Sequence, residues 1–286
     1  MGKVKHCIGA ISYCDSSKNP ERFDILKNTF SKLSEIKRDD NYIFAWDNGS
    51  SDDVKDFLLN CGTFDDVYCS QKNLYTNGLI AAINLKARQL EAEYVSIIAD
   101  DYLVFRPEAV HHCVNFLDQN KDCGYVRMLK FELENIHLYD KILSHTDRDI
   151  PNCQRQFNYV NGKQLEWEYA DYPDRSYTFF KNNYHWSEFS NVCRADVFDL
   201  IVPKKDCLAM SGVEKTMMYN YHNLQHNGMP LKTGVLNGGA FTHDQRDFAD
   251  NSLRVTRENT WQNKMVDSNL LLETVNQTIG TDFKSL

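Results

Sequence analysis

The sequence comprises 286 residues, 42% of them hydrophobic and 25% charged, a composition typical of a soluble globular chain that can bury a sizeable core. Its formal net charge of −8 argues against non-specific binding to nucleic acid or to an anionic membrane. No apolar run approaches the roughly 18 residues of a membrane-spanning helix. The N-terminus lacks the apolar region of a signal peptide, and the nine cysteines include no CxxC pair, so we expect reduced thiols and a cytoplasmic location.

Strand and helix signals alternate along the first half of the chain. Apolar, β-branched runs predict strands at residues 4–12, 42–46, 66–69 and 95–98. Amphipathic spacing predicts helices at residues 20–36, 53–59 and 77–90. This alternation predicts a parallel, doubly wound sheet, in which ligands bind outside the carboxyl ends of the strands. Polar residues follow three of these ends, namely Ser12 and Tyr13, residues 47–51, and Asp100 with Asp101.

Asp100 and Asp101 end an apolar run and form the most informative pair in the sequence. Two adjacent carboxylates repel each other unless a cation or a set of donors neutralises them. Mg²⁺ and Mn²⁺ prefer carboxylate oxygens and keep coordination positions open for phosphate. An Asp-Asp turn that closes a strand is the structural alternative. The rest of the sequence favours a metal site.

The second half begins with a predicted helix at residues 107–117 and one or two strands within 124–134. A polar loop is predicted at 145–165, with a hairpin signal at Asn161-Gly162. Eleven aromatic residues follow between positions 157 and 189. Most of them are expected in the core of a β-rich insert, but aromatic rings with polar tips also stack on sugars. Four are predicted as a group to contact a sugar acceptor: Trp167, Tyr169, Tyr172 and Trp186.

The last third of the chain carries two further candidate residues. Glu214 precedes a predicted helix at residues 216–224, which ends at a good C-cap, Asn227-Gly228. An acidic residue at a helix start is also favoured by the helix dipole alone. His243 follows a Gly-Gly pair and a predicted strand at 233–236. Residues 246–286 indicate one or two amphipathic helices that pack on the core, cover the site or mediate oligomerisation.

The order of these motifs resembles the nucleotide-sugar half of GT-A-fold glycosyltransferases, most closely family 2. The resemblance rests on the first-strand loop, on residues 46–52 (WDNGSSD), on Lys72-Asn73 with Asn77-Gly78 and Asn84, and on residues 98–101 (IADD). It implies an α/β GT-A fold, that is, a Rossmann-like, mixed but mostly parallel sheet flanked by helices, with an aromatic-rich acceptor region and C-terminal helices. The catalytic domain would span residues 1–245, with a nucleotide-sugar half at 1–106 and an acceptor half at 107–245.

The resemblance also implies roles for individual residues. It predicts a nucleoside-diphosphate sugar as the donor, bound by Ser12, Tyr13, Asp47, Asn73, Asn77, Gly78 and Asp100. The family's D-x-D motif survives only as an adjacent pair, because position 102 is tyrosine and position 99 alanine. Asp101 corresponds to the metal-binding residue of that motif. With Asp100 and a late histidine, His243, it would bind Mn²⁺ or Mg²⁺, and this mixed ligand set suits Mn²⁺ better than Ca²⁺.

Residues 185–194 resemble the W-S-x-x-P-x-x-x-R segment of the same family, which lies under the donor sugar and the acceptor. Glu214 matches the carboxylate that faces the acceptor hydroxyl, which makes it the first candidate general base and Glu188 the second. The resemblance favours inversion of configuration, although the sequence itself is compatible with retention.

Other functions remain open at this level. Sugar-1-phosphate nucleotidyltransferases normally carry a Gly-rich, basic loop after the first strand, whereas residues 12–17 (SYCDSS) contain no glycine and one aspartate. A non-enzymatic carbohydrate-binding protein would leave the aspartate pair unexplained. The acceptor is a glycan or another hydroxyl compound. A modified base in DNA is a further alternative, against which the net charge argues.

Overall fold

A computed structural model of the chain describes residues 3–129, 168–183, 190–203, 213–229, 231–243 and 268–280. The first half folds in the predicted order, with boundaries within two residues of the predicted ones if the 3-10 turn after the first helix is included. Its strands are β1 (His6–Ser12), β2 (Asn41–Asp47), β3 (Asp66–Cys69) and β4 (Tyr94–Ala99). Its helices are α1 (Pro20–Leu33), extended by a 3-10 turn at Ser34–Ile36, α2 (Asp52–Asn60) and α3 (Tyr75–Gln89).

The second half adds shorter elements. Its strands are β5 (Tyr102–Val104), β6 (Cys123–Arg127), β7 (Glu168–Ala170), β8 (Phe179–Asn182), β9 (Asn191–Arg194), β10 (Lys232–Leu236) and β11 (Phe241–His243). Its helices are α4 (Ala109–Gln119), α5 (Ala195–Ile201), α6 (Val213–His226) and α7 (Ser268–Ile279). The predicted loop at 145–165 and its Asn161-Gly162 hairpin lie outside the described residues.

The described strands form a nine-stranded sheet in the order β3-β2-β1-β4-β9-β6-β10-β8-β7, and β5 pairs separately with β11. Strands β1 to β4 are mutually parallel where they pair, as predicted. β9 lies antiparallel between β4 and β6, so the part of the sheet from β4 to β7 has mixed strand directions. The predicted α/β class with a mixed, mostly parallel sheet flanked by helices is therefore confirmed.

Helices cover both faces of the sheet. α1 and α4 contribute to one apolar cluster, in which Leu26, Phe30 and Phe116 are fully buried. α3, α6 and α7 contribute to the cluster on the other face, with Leu271 and Val275 of α7 also fully buried. Of the roles left open for the C-terminal segment, packing on the core is the one that α7 adopts, because it lies against α3.

Two general features of the chain concern membrane segments and thiols. No helix in the described parts of the chain is long and apolar enough to cross a membrane. Seven cysteines in the same parts are free thiols: Cys7, Cys14, Cys61, Cys69, Cys113, Cys123 and Cys193.

One buried histidine makes the stability of the fold depend on pH. His6 is 5% exposed, and its Nε2 lies 2.8 Å from Ser96 Oγ. Burial, with smaller contributions from His111 and Lys5, lowers the pKa of His6 to about 3. Between pH about 6.5 and about 3 the unfolded chain binds a proton that the folded chain does not, so stability decreases as the pH falls.

We expect this loss to reach roughly 1.4 kcal/mol per pH unit, measured by urea denaturation between pH about 7 and about 5. The control is His6→Gln, which keeps a polar group near Ser96 but does not titrate. A pH dependence of equal slope in the variant and the wild type would contradict the assignment to His6.

Candidate active site

The candidate site lies at the carboxyl ends of three neighbouring strands. Ser12 pairs in register with Asp47 of β2, and Ile11 pairs with Ala99 of β4. This register brings Ser12, Asp47 and Asp100 side by side at one edge of the sheet. Tyr13 follows β1 at the same edge, and its side chain is 53% exposed. The three strand ends that the sequence analysis selected therefore meet in one place.

Asp47 is fully buried and organises the turn after β2. Its Oδ2 accepts hydrogen bonds from the backbone N–H groups of Gly49 (3.1 Å) and Ser50 (3.0 Å). Gly49 has a φ of +83°, a left-handed conformation that favours glycine. Burial raises the pKa of the Asp47 carboxyl, against the lowering effects of the Ser50 hydroxyl and of these two backbone hydrogen bonds.

The second oxygen of Asp47, Oδ1, is buried and has no hydrogen-bond partner within the described part of the chain. A buried polar atom without a partner costs roughly 1–3 kcal/mol, and more if it is charged. An N–H or O–H group of a ligand would remove this cost. We therefore keep Asp47 as a predicted donor-binding residue.

Asn48 connects the same turn to the start of α3. Its Oδ1 accepts hydrogen bonds from Trp46 Nε1 (3.0 Å) and from the Leu74 backbone N–H (3.2 Å). Its Nδ2 donates to the Tyr75 carbonyl oxygen at 3.0 Å. Tyr75 itself has a φ of +53°. The start of α3 is thus held in a fixed position beside Asp47.

The three residues near the start of α3 that are predicted to bind the sugar donor have different surroundings. Asn73 Oδ1 accepts a hydrogen bond from the Tyr75 N–H (2.8 Å), and Asn77 is 5% exposed. A Cβ atom at Gly78 would lie 2.8 Å from Trp46 Nε1. The structure therefore explains Gly78 by the close packing of α3 on Trp46, and direct contact with a donor remains a prediction for all three residues.

The aspartate pair after β4 is held by α1. Arg22 Nη2 forms an ion pair with Asp100 Oδ1, and Arg22 Nη1 lies 3.5 Å from Asp101 Oδ2. Asp100 Oδ2 also accepts a hydrogen bond from the Tyr13 backbone N–H at 3.1 Å. The side chains of Arg22, Asp100 and Asp101 are only 10%, 6% and 14% exposed. The pair thus has an internal counterion that the sequence analysis did not identify.

The signal for Arg22 was nevertheless present in the helix pattern. Positions 22, 26, 29 and 33 share one face of α1, and all four are buried. A cation on the core-facing side of a helix requires a buried anionic partner, because an unpaired buried charge is costly. The only missing information was which carboxylate provides it.

The metal-binding prediction fits the chemistry of this edge in part. Asp100 and Asp101 present hard oxygen ligands, and His243 of β11 pairs in register with Tyr102, the residue after Asp101. The side chain of His243 lies outside the described atoms. Among the side chains that are described, no group of three or more His, Cys, Asp or Glu residues is arranged to hold a metal ion. The two carboxylates with His243 remain the predicted ligand set.

The base candidate Glu214 lies in the first turn of α6. At the other end of this helix, Tyr221 OH and Gln225 Nε2 donate hydrogen bonds to the carbonyl oxygens of Lys232 and Leu231, where β10 begins. The N-terminus of α6 therefore points toward the carboxyl ends of the strands, the edge that carries Asp100. The Glu214 side chain itself is not described, and Glu188 lies outside the described residues.

Two members of the predicted acceptor group lie among the described residues. Tyr172 is 7% exposed, its OH lies 3.0 Å from His112 Nδ1, and its ring packs against Phe179. It packs in the core, and contact of the group with an acceptor remains a prediction. Tyr169 is 64% exposed, but it lies on β7, five strands from β4 and so roughly 24 Å across the sheet. Trp167 and Trp186 lie outside the described residues.

Comparison with known proteins identifies the fold. No protein-family model and no curated protein matches the chain. Among solved structures, TarS residues 1–349 from S. aureus superpose with a TM-score of 0.50 at 15% identity, over 98% of this chain and 73% of that one.

Two other solved structures are similar to the chain at lower scores. One is glucosyl-3-phosphoglycerate synthase from Mycobacterium tuberculosis, in complex with Mn²⁺, UDP and phosphoglyceric acid. Its TM-score is 0.49 at 11% identity, over 98% of this chain and 80% of that one. The other is CMP:2-keto-3-deoxy-manno-octonic acid synthetase with CTP. Its TM-score is 0.48 at 12% identity, over 89% of this chain and 99% of that one.

The order of elements, the sheet and the superposition on TarS define the fold: the protein has the GT-A fold of glycosyltransferases. The resemblance drawn from the motifs is confirmed at this level. Identity of 15% shows a common fold and does not extend to substrates.

Proposed function

We propose that this protein is a metal-dependent glycosyltransferase that moves a sugar from a nucleoside-diphosphate sugar to an acceptor hydroxyl. The observation that carries the proposal is the meeting of Asp47, with its unpartnered buried oxygen, and the aspartate pair at one sheet edge. In a GT-A fold, the nucleoside of a donor would bind at this edge near Asp47, with its diphosphate beside it near the aspartate pair. The acceptor is a glycan or another hydroxyl compound, and the predicted halves, 1–106 and 107–245, would divide donor from acceptor.

The roles follow from where charge develops. As the bond between sugar and diphosphate breaks, the leaving oxygen gains negative charge, and a divalent cation held by Asp101, Asp100 and His243 would stabilise that charge. The turns after β1 and β2 would bind the nucleoside. Asp47 would accept a hydrogen bond from an N–H of the base or an O–H of the ribose.

The acceptor hydroxyl must lose a proton as it attacks the sugar. In an inverting reaction a carboxylate takes this proton directly, and Glu214 at the start of α6 is our first choice for that role, with Glu188 second. Inversion is the course that we propose.

The free thiols of the described cysteines suit the reducing cytoplasm, which we propose as the location of the enzyme.

A donor screen tests the proposal most directly. Purified protein is incubated with individual nucleoside-diphosphate sugars, with Mn²⁺, with Mg²⁺ or with EDTA, and release of the nucleoside diphosphate is measured. We expect hydrolysis of one donor class, dependent on the metal. Absence of turnover and of nucleotide binding across the panel would reject the proposal. NMR analysis of the product with a matched acceptor then distinguishes inversion from retention.

The orphan oxygen leads to a prediction for Asp47→Asn. We expect this variant to raise the donor KM by roughly tenfold or more with a smaller decrease in kcat, because a hydrogen bond to a charged group contributes about 1.5–3 kcal/mol of ground-state binding. Asp52→Asn is the matched control, since Asp52 follows the same turn with a 98% exposed side chain. A collapse of kcat at an unchanged KM would instead place Asp47 in the chemical step.

A further inference from the structure

The geometry of α1 suggests that the helix does more than support the sheet. Arg22 and Thr29 lie seven residues, or about two turns, apart, so they share one face of the helix. Thr29 Oγ1 lies 2.7 Å from the carbonyl oxygen of Tyr102 and 3.2 Å from that of Asp100. Asn19 caps the helix by accepting a hydrogen bond from the Arg22 N–H at 3.1 Å. One rigid helix therefore holds both the backbone and the side chains of the acidic turn, residues 100–102.

The guanidinium of Arg22 treats the two carboxylates unequally. Asp100 forms a direct ion pair with Arg22 Nη2 and accepts a hydrogen bond from the Tyr13 N–H. Asp101 Oδ2 lies 3.5 Å from Arg22 Nη1. All three charged side chains are 86% or more buried. Water screens such charges poorly, so the single positive charge of Arg22 acts strongly on any cation that approaches the pair.

We propose that Arg22 is a positioning residue that fixes Asp100 and competes with the divalent cation for the negative charge of the acidic turn. This inference rests on the proposed function of the same site. Arg22 offsets part of the negative charge of the two aspartates, so it weakens their attraction for a free metal ion. The diphosphate of a donor supplies the additional negative charge that strengthens metal binding. Arg22 thereby keeps the affinity for free metal low until the donor arrives.

The test measures binding of Mn²⁺ alone, by the electron paramagnetic resonance signal of the free ion, to the intact protein. We expect Arg22→Gln to bind Mn²⁺ at least about tenfold more tightly than the wild type, since a repelling charge is removed. In EDTA its Tm should be lower, because two carboxylates have lost their counterion, and Mn²⁺ should raise that Tm more than it raises the wild-type value. A residue with a merely structural role would lower the Tm without increasing metal affinity.

The control is Arg88→Gln, which removes a half-exposed arginine–aspartate pair between α3 and α5. It should leave Mn²⁺ binding unchanged. A second pair of variants covers a failure of Arg22→Gln to fold. Asp100→Asn should weaken Mn²⁺ binding about tenfold, because the Arg22 charge then opposes Asp101 alone. The double variant Arg22→Gln/Asp100→Asn removes one repelling and one attracting charge together, so its Mn²⁺ affinity should return to near the wild-type value.

Unchanged or weaker Mn²⁺ binding by Arg22→Gln would overturn the inference, as would a double variant that binds as weakly as Asp100→Asn. Failure of the proposed function looks different, because the wild type would then bind no nucleoside diphosphate in the presence of Mn²⁺. Tighter Mn²⁺ binding by Arg22→Gln would support the role of Arg22 even in that case, whereas no binding by either protein would overturn both proposals.

Discussion

Asp101→Ala is expected to abolish glycosyl transfer and metal-dependent nucleotide binding while the protein remains folded. A divalent cation at the leaving group contributes several kcal/mol of transition-state stabilisation, so the loss in kcat/KM should reach roughly 10³-fold or more. The fold should persist because the substitution removes one of two repelling carboxylates and leaves the ion pair between Arg22 and Asp100 in place. Activity, Mn²⁺-dependent nucleotide binding and Tm are measured together.

A suitable control for this variant is Asp118→Ala. Asp118 also pairs with a partly buried cation, Lys5, at 2.7 Å, but on a different element, α4. Its removal should affect stability and not turnover. His243→Ala should weaken the Mn²⁺ dependence less severely than Asp101→Ala. Near-normal activity of Asp101→Ala would show that the acidic turn is a structural feature and not a metal site.

Glu214→Gln is expected to preserve donor binding and to reduce transfer by roughly 10²- to 10⁴-fold, the usual contribution of a positioned general base. Slow hydrolysis of the donor should survive better than transfer, because water does not require the same geometry as the acceptor hydroxyl. Measurement of both rates on one preparation separates the two effects.

The helix-dipole explanation of Glu214 leads to a different outcome. Glu214 lies in the first turn of α6, where a carboxylate stabilises the helix by about 1 kcal/mol at most, and Gln would lose only this contribution while turnover stays near normal. Glu188→Gln is the companion variant. Normal turnover in both would leave neither candidate as the base and would favour a retaining mechanism.

Hydrophobic periodicity by itself determined the first half of the fold. The strands and helices from β1 to β4 encode their own lengths, because buried strands need apolar, β-branched runs and helices need apolar residues every three to four positions. Parallel pairing then places the carboxyl ends of β1, β2 and β4 at one edge. For this reason Ser12, Asp47 and Asp100 could be predicted as neighbours without coordinates.

The tertiary structure alone decided the partners of these residues. Arg22 and Asp100 are separated by 78 positions, and nothing in local spacing specifies that ion pair. β9 enters the sheet antiparallel between β4 and β6, and β11 reaches β5 across more than a hundred residues. Tyr172 was predicted as an acceptor contact but is buried against Phe179. Long-range pairing and burial depend on which surfaces remain to be covered once the local elements have formed. That outcome depends on the whole chain at once, so it cannot be inferred from any local stretch of sequence.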